Sequence, residues 1–177
     1  HMTPDDLPAA LIRDAQFLHV SGISQAISES ACATVFAAIA IARVAGTRIV
    51  FDTNLRLRLW DLEHARTVIT RTIGQSDLLL PSIEDLRTLT GIDAPDSILD
   101  WCFEQGAREI VLKCGAKGCI VATPAARTRV PGHRVDAVDA TGAGDCFDGA
   151  LLARLVRGDD LVSAARFANA AAALTTT

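Results

Sequence analysis

The 177-residue chain is long enough to bury one sizeable core and short for two full domains. Half of its residues are hydrophobic and 21% are charged, which excludes an intrinsically disordered chain. With 17 basic against 21 acidic residues, a net charge of −4, few aromatics and no Tyr, a general grip on nucleic acid or on an anionic membrane is disfavoured.

The coarse pattern alternates strand and helix. Phe17 to Val20 is a short apolar run that ends at Ser21-Gly22, which predicts a strand and then a turn. From Ser28 to Ala45 the residues Ala31, Val35, Ala38, Ile39 and Ala42 recur at helical spacing, and Gly46 stops the helix. Arg48 to Phe51 is the next strand, with a polar loop from Asp52 through Trp60. Asp61 can cap a helix whose buried face is Leu62, Ala65, Ile69 and Ile73. Asp77 to Leu80 is a strand closed by Pro81. Two short helices are expected, over Ser82–Leu89 and Asp96–Gln105.

Glu109 to Lys113 predicts a buried strand. Gly118 to Thr123 and Arg127 to Val130 follow with no room for a helix between them, so those strands are expected to be antiparallel and near a sheet edge. Two helices close the chain, over Thr141–Arg157 and Asp159–Leu174. The alternation implies an α/β fold, a mostly parallel, doubly wound sheet with flanking helices and an antiparallel edge, with ligands beyond the C-terminal strand ends.

No apolar run reaches the roughly 18 residues needed to span a bilayer. His1-Met2 reads as an expression scar, and no signal-peptide pattern follows it. The five Cys are odd in number and lack paired short spacing, which reads as reduced thiols and a cytoplasmic setting. Cys114 and Cys119 are the only close pair, and without a second pair or a nearby His a zinc site is disfavoured. His19, His64 and His133 share no ligand spacing and read as surface or core residues.

The stretch Val138-Asp139-Ala140-Thr141-Gly142-Ala143-Gly144-Asp145-Cys146-Phe147-Asp148-Gly149-Ala150 is the most informative. Small residues let backbone approach a ligand, and free N–H groups at a helix start attract anions. Asp145, in the first turn, is placed to take a proton from a hydroxyl, a combination that suits phosphoryl transfer. A tight helix entry with a dipole-favoured acid explains the four small residues equally well. The stretch is neither a Walker loop nor a dinucleotide fingerprint.

Three further motifs carry polar groups at predicted strand ends. In Phe51-Asp52-Thr53-Asn54-Leu55-Arg56-Leu57-Arg58-Leu59-Trp60, Asn54 and Arg56 can hydrogen-bond and neutralise a phosphate chain, or simply sit in a solvated loop. Lys113-Cys114-Gly115-Ala116-Lys117-Gly118 is a nucleotide loop or a plain hairpin turn, with Lys117 expected in solvent. Pro81-Ser82-Ile83-Glu84-Asp85-Leu86 is a capped helix start or an acid acting on a metal through water. Asn169, among alanines of the last helix, is costly if buried without a partner, or lies on the wet face.

Asp139 to Leu152 resembles the C-terminal signature of the PfkB-type, or ribokinase-like, carbohydrate kinases, with Ala140 where Thr or Pro is commoner. The resemblance implies that Asp145 is the catalytic base and that Gly142, Ala143 and Gly144 form an anion hole. It also implies that Asn54, Arg56, Lys113, Gly115, Gly118, Thr141 and Asn169 lie at ATP, and that Asp85 handles Mg²⁺. Asp139 resembles a residue near a monovalent cation in some members. The Asp-x-Asn-x-Arg-x-x-Leu-Trp run and Val130-Pro131-Gly132-His133-Arg134-Val135 fit 2-keto-3-deoxygluconate kinases most closely, with fructokinase as the nearest competitor.

The implied reaction is transfer of the γ-phosphoryl group of ATP to the primary hydroxyl of a sugar acid, with no nucleic-acid or membrane partner. The matching region begins mid-fold, so the chain reads as a fragment. The first strands, the small β lid and most sugar contacts are expected to be missing, and the last segment to be clipped. A fragment of this kind is expected to have little or no kinase activity, with a binding-only domain as the alternative, and its exposed sheet edge is expected to favour association or instability.

Overall fold

The computed structural model describes residues 2–177; His1, the first residue of the expected scar, lies outside them. The fold divides into two compact units, one reaching to Arg108 and the other Glu109–Thr177.

The first unit opens with a 3-10 turn, Pro4–Asp6, and helix α1, Ala9–Asp14. Strand β1, Phe17–Ser21, leads directly into α2, Gly22–Ala26, where only a turn was expected. Helix α3, Glu29–Ala45, starts at Ser28, whose Oγ accepts from the Ala31 N–H. It ends at Gly46 in the left-handed conformation that glycine tolerates. Its buried residues are Thr34, Ala38, Ile39 and Ala42, whereas Ala31 and Val35 are only half-buried.

Strand β2, Arg48–Asp52, pairs in parallel with β1 on one side and with β3, Leu78–Leu79, on the other. The register puts Ser21 opposite Asp52, so the ends of β1 and β2 arrive together. Between β2 and β3 runs α4, Leu62–Ile73, capped by Asp61, whose Oδ1 accepts from His64 N–H. Helices α5, Ile83–Thr90, and α6, Pro95–Glu104, complete the unit. The core is built from Ile49, Val50 and Phe51, Leu78 to Leu80, and the inward faces of the helices, including Ile39, Ile69, Ile73, Leu86 and Leu99.

In the second unit β4, Glu109–Lys113, β5, Cys119–Thr123, and β6, Ala126–Val130, form an antiparallel meander. The parallel strands β1 to β3 of one unit and the antiparallel meander of the other fit the expected α/β fold with an antiparallel edge. Helices α7, Ala143–Val156, and α8, Leu161–Thr175, pack against each other; α7 buries Phe147 and Leu151, and α8 buries Ala164, Ala165 and Ala168. Alanines on α8 let the two helices approach closely. All five cysteines are free. Among the described residues, no helix is long and apolar enough to cross a membrane.

Candidate functional site

The glycine-rich stretch forms the entry of α7. Gly142 is the residue before the helix, at φ 77°, a conformation that side chains other than glycine rarely adopt. Asp145 sits in the first turn and is exposed. No hydrogen bond or ion pair engages it among the described residues. The amides of the entry are not all open. Ala143 N–H donates to Ala140 O at 3.2 Å, and Cys146 N–H to Gly142 O at 2.9 Å. Of the residues expected to form an anion hole, Ala143 thus spends its amide on closing a turn.

Lys113, at the end of β4, forms a salt bridge with Asp148 of α7, Nζ to Oδ1 3.0 Å, in a nearly dry setting. A Cβ on Gly144 would lie 3.8 Å from that Nζ. The ammonium group thus stands beside the positive end of α7, and both favour an anion there. Asp148 was not singled out from sequence. Its signal was an acid directly after Phe147 on an otherwise apolar stripe, a position where a charge needs a partner.

Asp139 accepts from both the amide (2.9 Å) and the hydroxyl (2.8 Å) of Thr141. These bonds hold its carboxyl below the usual carboxylate range, the backbone bond contributing most. Thr141 accordingly spends its polar groups on Asp139. The Val138 and Asp139 amides donate to Thr176 O, which ties this segment to the end of α8.

Gly115, at φ 57°, has open space around its α-carbon, as a ligand loop would. Gly118 does not: a Cβ there would meet Val130 O at 2.2 Å and Gly132 N at 2.4 Å. The close approach that Gly118 permits is to the chain's own Pro131–Gly132 backbone, and Gly132 reciprocates against Ala116 O at 2.4 Å. Lys117 is exposed. Asn169 is buried rather than on the wet face. Its Nδ2 donates to Val130 O and Pro131 O, 3.3 Å each, and contacts Cys119 Sγ at 3.5 Å. Its amide group fastens the end of β6 to α8.

In the first unit, Asn54 is half-buried with φ 34°, the only non-glycine residue with positive φ among those described. Arg56 is exposed and donates from Nη1 to Leu55 O at 2.9 Å. Asp85 lies in the first turn of α5, where its N–H donates to Ser82 Oγ at 3.0 Å. Its Oδ2 accepts from Thr53 Oγ1 at 2.9 Å and Leu55 N–H at 3.1 Å. Among the described residues, no three His, Cys, Asp or Glu side chains gather closely enough to cage a metal ion. Magnesium commonly keeps its waters and binds through one carboxylate and substrate phosphates, a demand that one acid such as Asp85 or Asp139 can meet. His19, His64 and His133 are exposed. Trp60 packs its ring 5.8 Å from that of His64.

Taken together, these pieces define an α/β protein with a glycine-rich helix entry that carries an unengaged acid and a neighbouring lysine, an arrangement receptive to an anionic group. The family model described as pfkB family carbohydrate kinase matches residues 1–177. The chain belongs to this family. It is 36% identical over 185 residues to fructokinase-1 of Zea mays, covering 99% of this chain and 57% of that one. It is 31% identical over 173 residues to a 2-dehydro-3-deoxygalactonokinase of Haloferax volcanii, covering 97% and 54%. Among solved structures it is similar to fructokinase from Vibrio cholerae O395 in its fructose-, ADP- and calcium-bound form. There the TM-score is 0.91 at 33% identity, with 99% of this chain and 58% of that one covered. The chain thus spans a little over half the length of the relatives it matches, and its fold is the α/β, ribokinase-like fold of this family.

Proposed function

We propose that the chain carries the phosphoryl-transfer and nucleotide part of an ATP-dependent sugar kinase. The observation that carries this reading is Asp145: a carboxylate that is exposed and unengaged among the described residues, in the first turn of α7 at a glycine-rich entry. A carboxylate so placed accepts the proton of a sugar's primary hydroxyl as its oxygen becomes nucleophilic. The helix start and the Lys113 ammonium hold negative charge where it develops. In the other unit, Asn54 and Arg56 supply an amide and a guanidinium suited to phosphate oxygens. Bound ATP with magnesium would supply the transferred group and offset its charge; Asp139 is the acid proposed to serve a metal ion, while the oxygen that Asp85 spends on Thr53 and Leu55 points to another role.

The fructokinase relatives favour fructose as the acceptor. The Haloferax relative supports a second reading, a 2-keto-3-deoxy sugar acid such as 2-keto-3-deoxygluconate. A panel of both sugar types with Mg-ATP, run on a full-length protein containing this chain, separates them. In that protein Asp145→Asn lowers turnover by on the order of 10²-fold or more while nucleotide affinity stays close to that of the wild type. A mild loss removes the base assignment. For the 177-residue chain by itself we expect nucleotide binding with little turnover, and calorimetry with ADP tests the binding.

A further inference from the structure

Asp85 is the acid that the family resemblance connects with magnesium, yet its geometry serves something else. One carboxylate oxygen, Oδ2, accepts from Thr53 Oγ1 and from the Leu55 N–H. The two donors flank Asn54, the residue whose backbone lies in the left-handed region at φ 34°. Asn tolerates that region better than most side chains, but the conformation persists only where neighbours over-determine it. Here the neighbours are clear. Thr53 and Leu55 are buried on either side of Asn54. The acid is itself fixed, because its own N–H donates to Ser82 Oγ at the start of α5. Arg56 is then oriented by its bond to Leu55 O, the carbonyl of the clamped residue.

We propose that Asp85 is a positioning residue: it clamps the 53–55 loop and thereby sets the directions in which Asn54 and Arg56 meet nucleotide phosphates. This rests on the nucleotide reading given above and deepens it. A carboxylate accepting two bonds from one loop is a stronger restraint than a neutral acceptor, since bonds to an ionised group are roughly twice as strong. The chain from Ser82 through Asp85 to Thr53 and Leu55 joins the start of α5 to the loop after β2.

Three variants of the 177-residue chain test this: Asp85→Ala, Asp85→Asn and Thr53→Val. Thr53→Val removes one donor and leaves the acid in place, so a pure metal ligand would not notice it. Amide exchange at Leu55 reads the clamp, and ADP titration reads the positioning, once in EDTA and once in Mg²⁺. Asp85→Ala is expected to speed Leu55 exchange and weaken ADP on the order of tenfold, by the same factor with and without metal. Asp85→Asn and Thr53→Val fall between it and the wild type, with exchange in β4 to β6 unchanged in all three. Unchanged Leu55 exchange in Asp85→Ala overturns the clamp. An ADP defect confined to Mg²⁺, or a Thr53→Val variant that binds ADP as the wild type does, overturns the positioning role in favour of metal binding. If the wild-type chain fails to bind ADP, the nucleotide reading falls and the positioning role with it, and the exchange data distinguish that failure from loss of the clamp.

Discussion

Gly22→Ala is the sharpest perturbation of the scaffold beneath the loop after β2. Gly22 is buried where β1 passes into α2, and a Cβ on it would stand 2.0 Å from Thr53 O and 3.1 Å from Thr53 C. A carbon meets a carbonyl oxygen at about 3.3 Å even in a weak C–H···O contact, so the two segments must part by roughly 1 Å or more. The obstacle is backbone on both sides, and no side chain can swing away. Overpacking of this kind costs about 1–3 kcal/mol, and the rigid obstacle puts Gly22→Ala at the upper end. The gain of about 0.4–1 kcal/mol from restricting the unfolded chain offsets part of it, leaving a net loss of about 2 kcal/mol. In a chain of this size that lowers the melting temperature by about 4–8 °C. The same shift displaces Thr53, so Leu55 exchange should rise as it does in Asp85→Ala. Circular dichroism melts provide the assay, with Gly149→Ala as control: Gly149 lies within α7 with nothing within 4 Å of the added carbon. That control should gain about 0.5–1 kcal/mol, the usual benefit of Ala over Gly in a helix. If Gly22→Ala melts together with the wild type, the close approach of β1 and Thr53 is wrong.

Asp148→Asn removes the carboxylate charge 3.0 Å from the nearly dry Lys113 ammonium, and urea unfolding should show a loss of about 3 kcal/mol. The double change Lys113→Met with Asp148→Leu should cost less than that single change, because no charge is left unpaired. Asn169→Leu strips a donor from Val130 O and Pro131 O and should destabilise by about 1–3 kcal/mol in the same assay. The Asp139 carboxyl should titrate below 3.8 by carbon-detected NMR, and Thr141→Val should bring it back up. Because its folded value is depressed, this bond set contributes stability above about pH 3.8 and loses it as the pH falls through the folded value. The thiols of Cys102 and Cys119 have the opposite sign. Burial pushes both to about 12, so the native chain should resist alkylation at both positions, and stability should fall as the pH rises beyond 9.0.

Where local chemistry decides, the fold was legible in the sequence. Asp61 and Ser82 announced helix starts because their side chains cap orphan amides, and Gly46 announced a stop because it adopts positive φ. The antiparallel β4–β6 meander followed from spacing too short for a helix. Helix α2 was hidden because five residues beginning with glycine carry no periodic signal, and α1 because its six residues bury only Ile12. At the site, the motifs located the right segments but not the division of labour within them. Gly118 looked like a ligand loop, and its partner is Gly132, a contact between residues 14 apart that no window reveals. Lys113 and Asp148 are 35 residues apart, and Asn169 reaches Val130 across 39. Pairings at that range are set by packing, and a sequence shows only that a buried polar group will need some partner.

The acids of these motifs divide by what they hold. Asp85 accepts from Thr53 and Leu55, Asp139 from Thr141, and Asp148 from Lys113. Each spends its oxygens on a fixed piece of the chain, which orders a loop, a turn or a lysine. A general base must do the reverse: it must be ionised, accessible and bound to nothing that would compete for the proton. Asp145 alone among the four meets that condition, being exposed and unengaged at the positive end of α7. Under the proposed transfer role, three carboxylates committed to holding the chain leave the fourth as the one whose oxygens can take a proton.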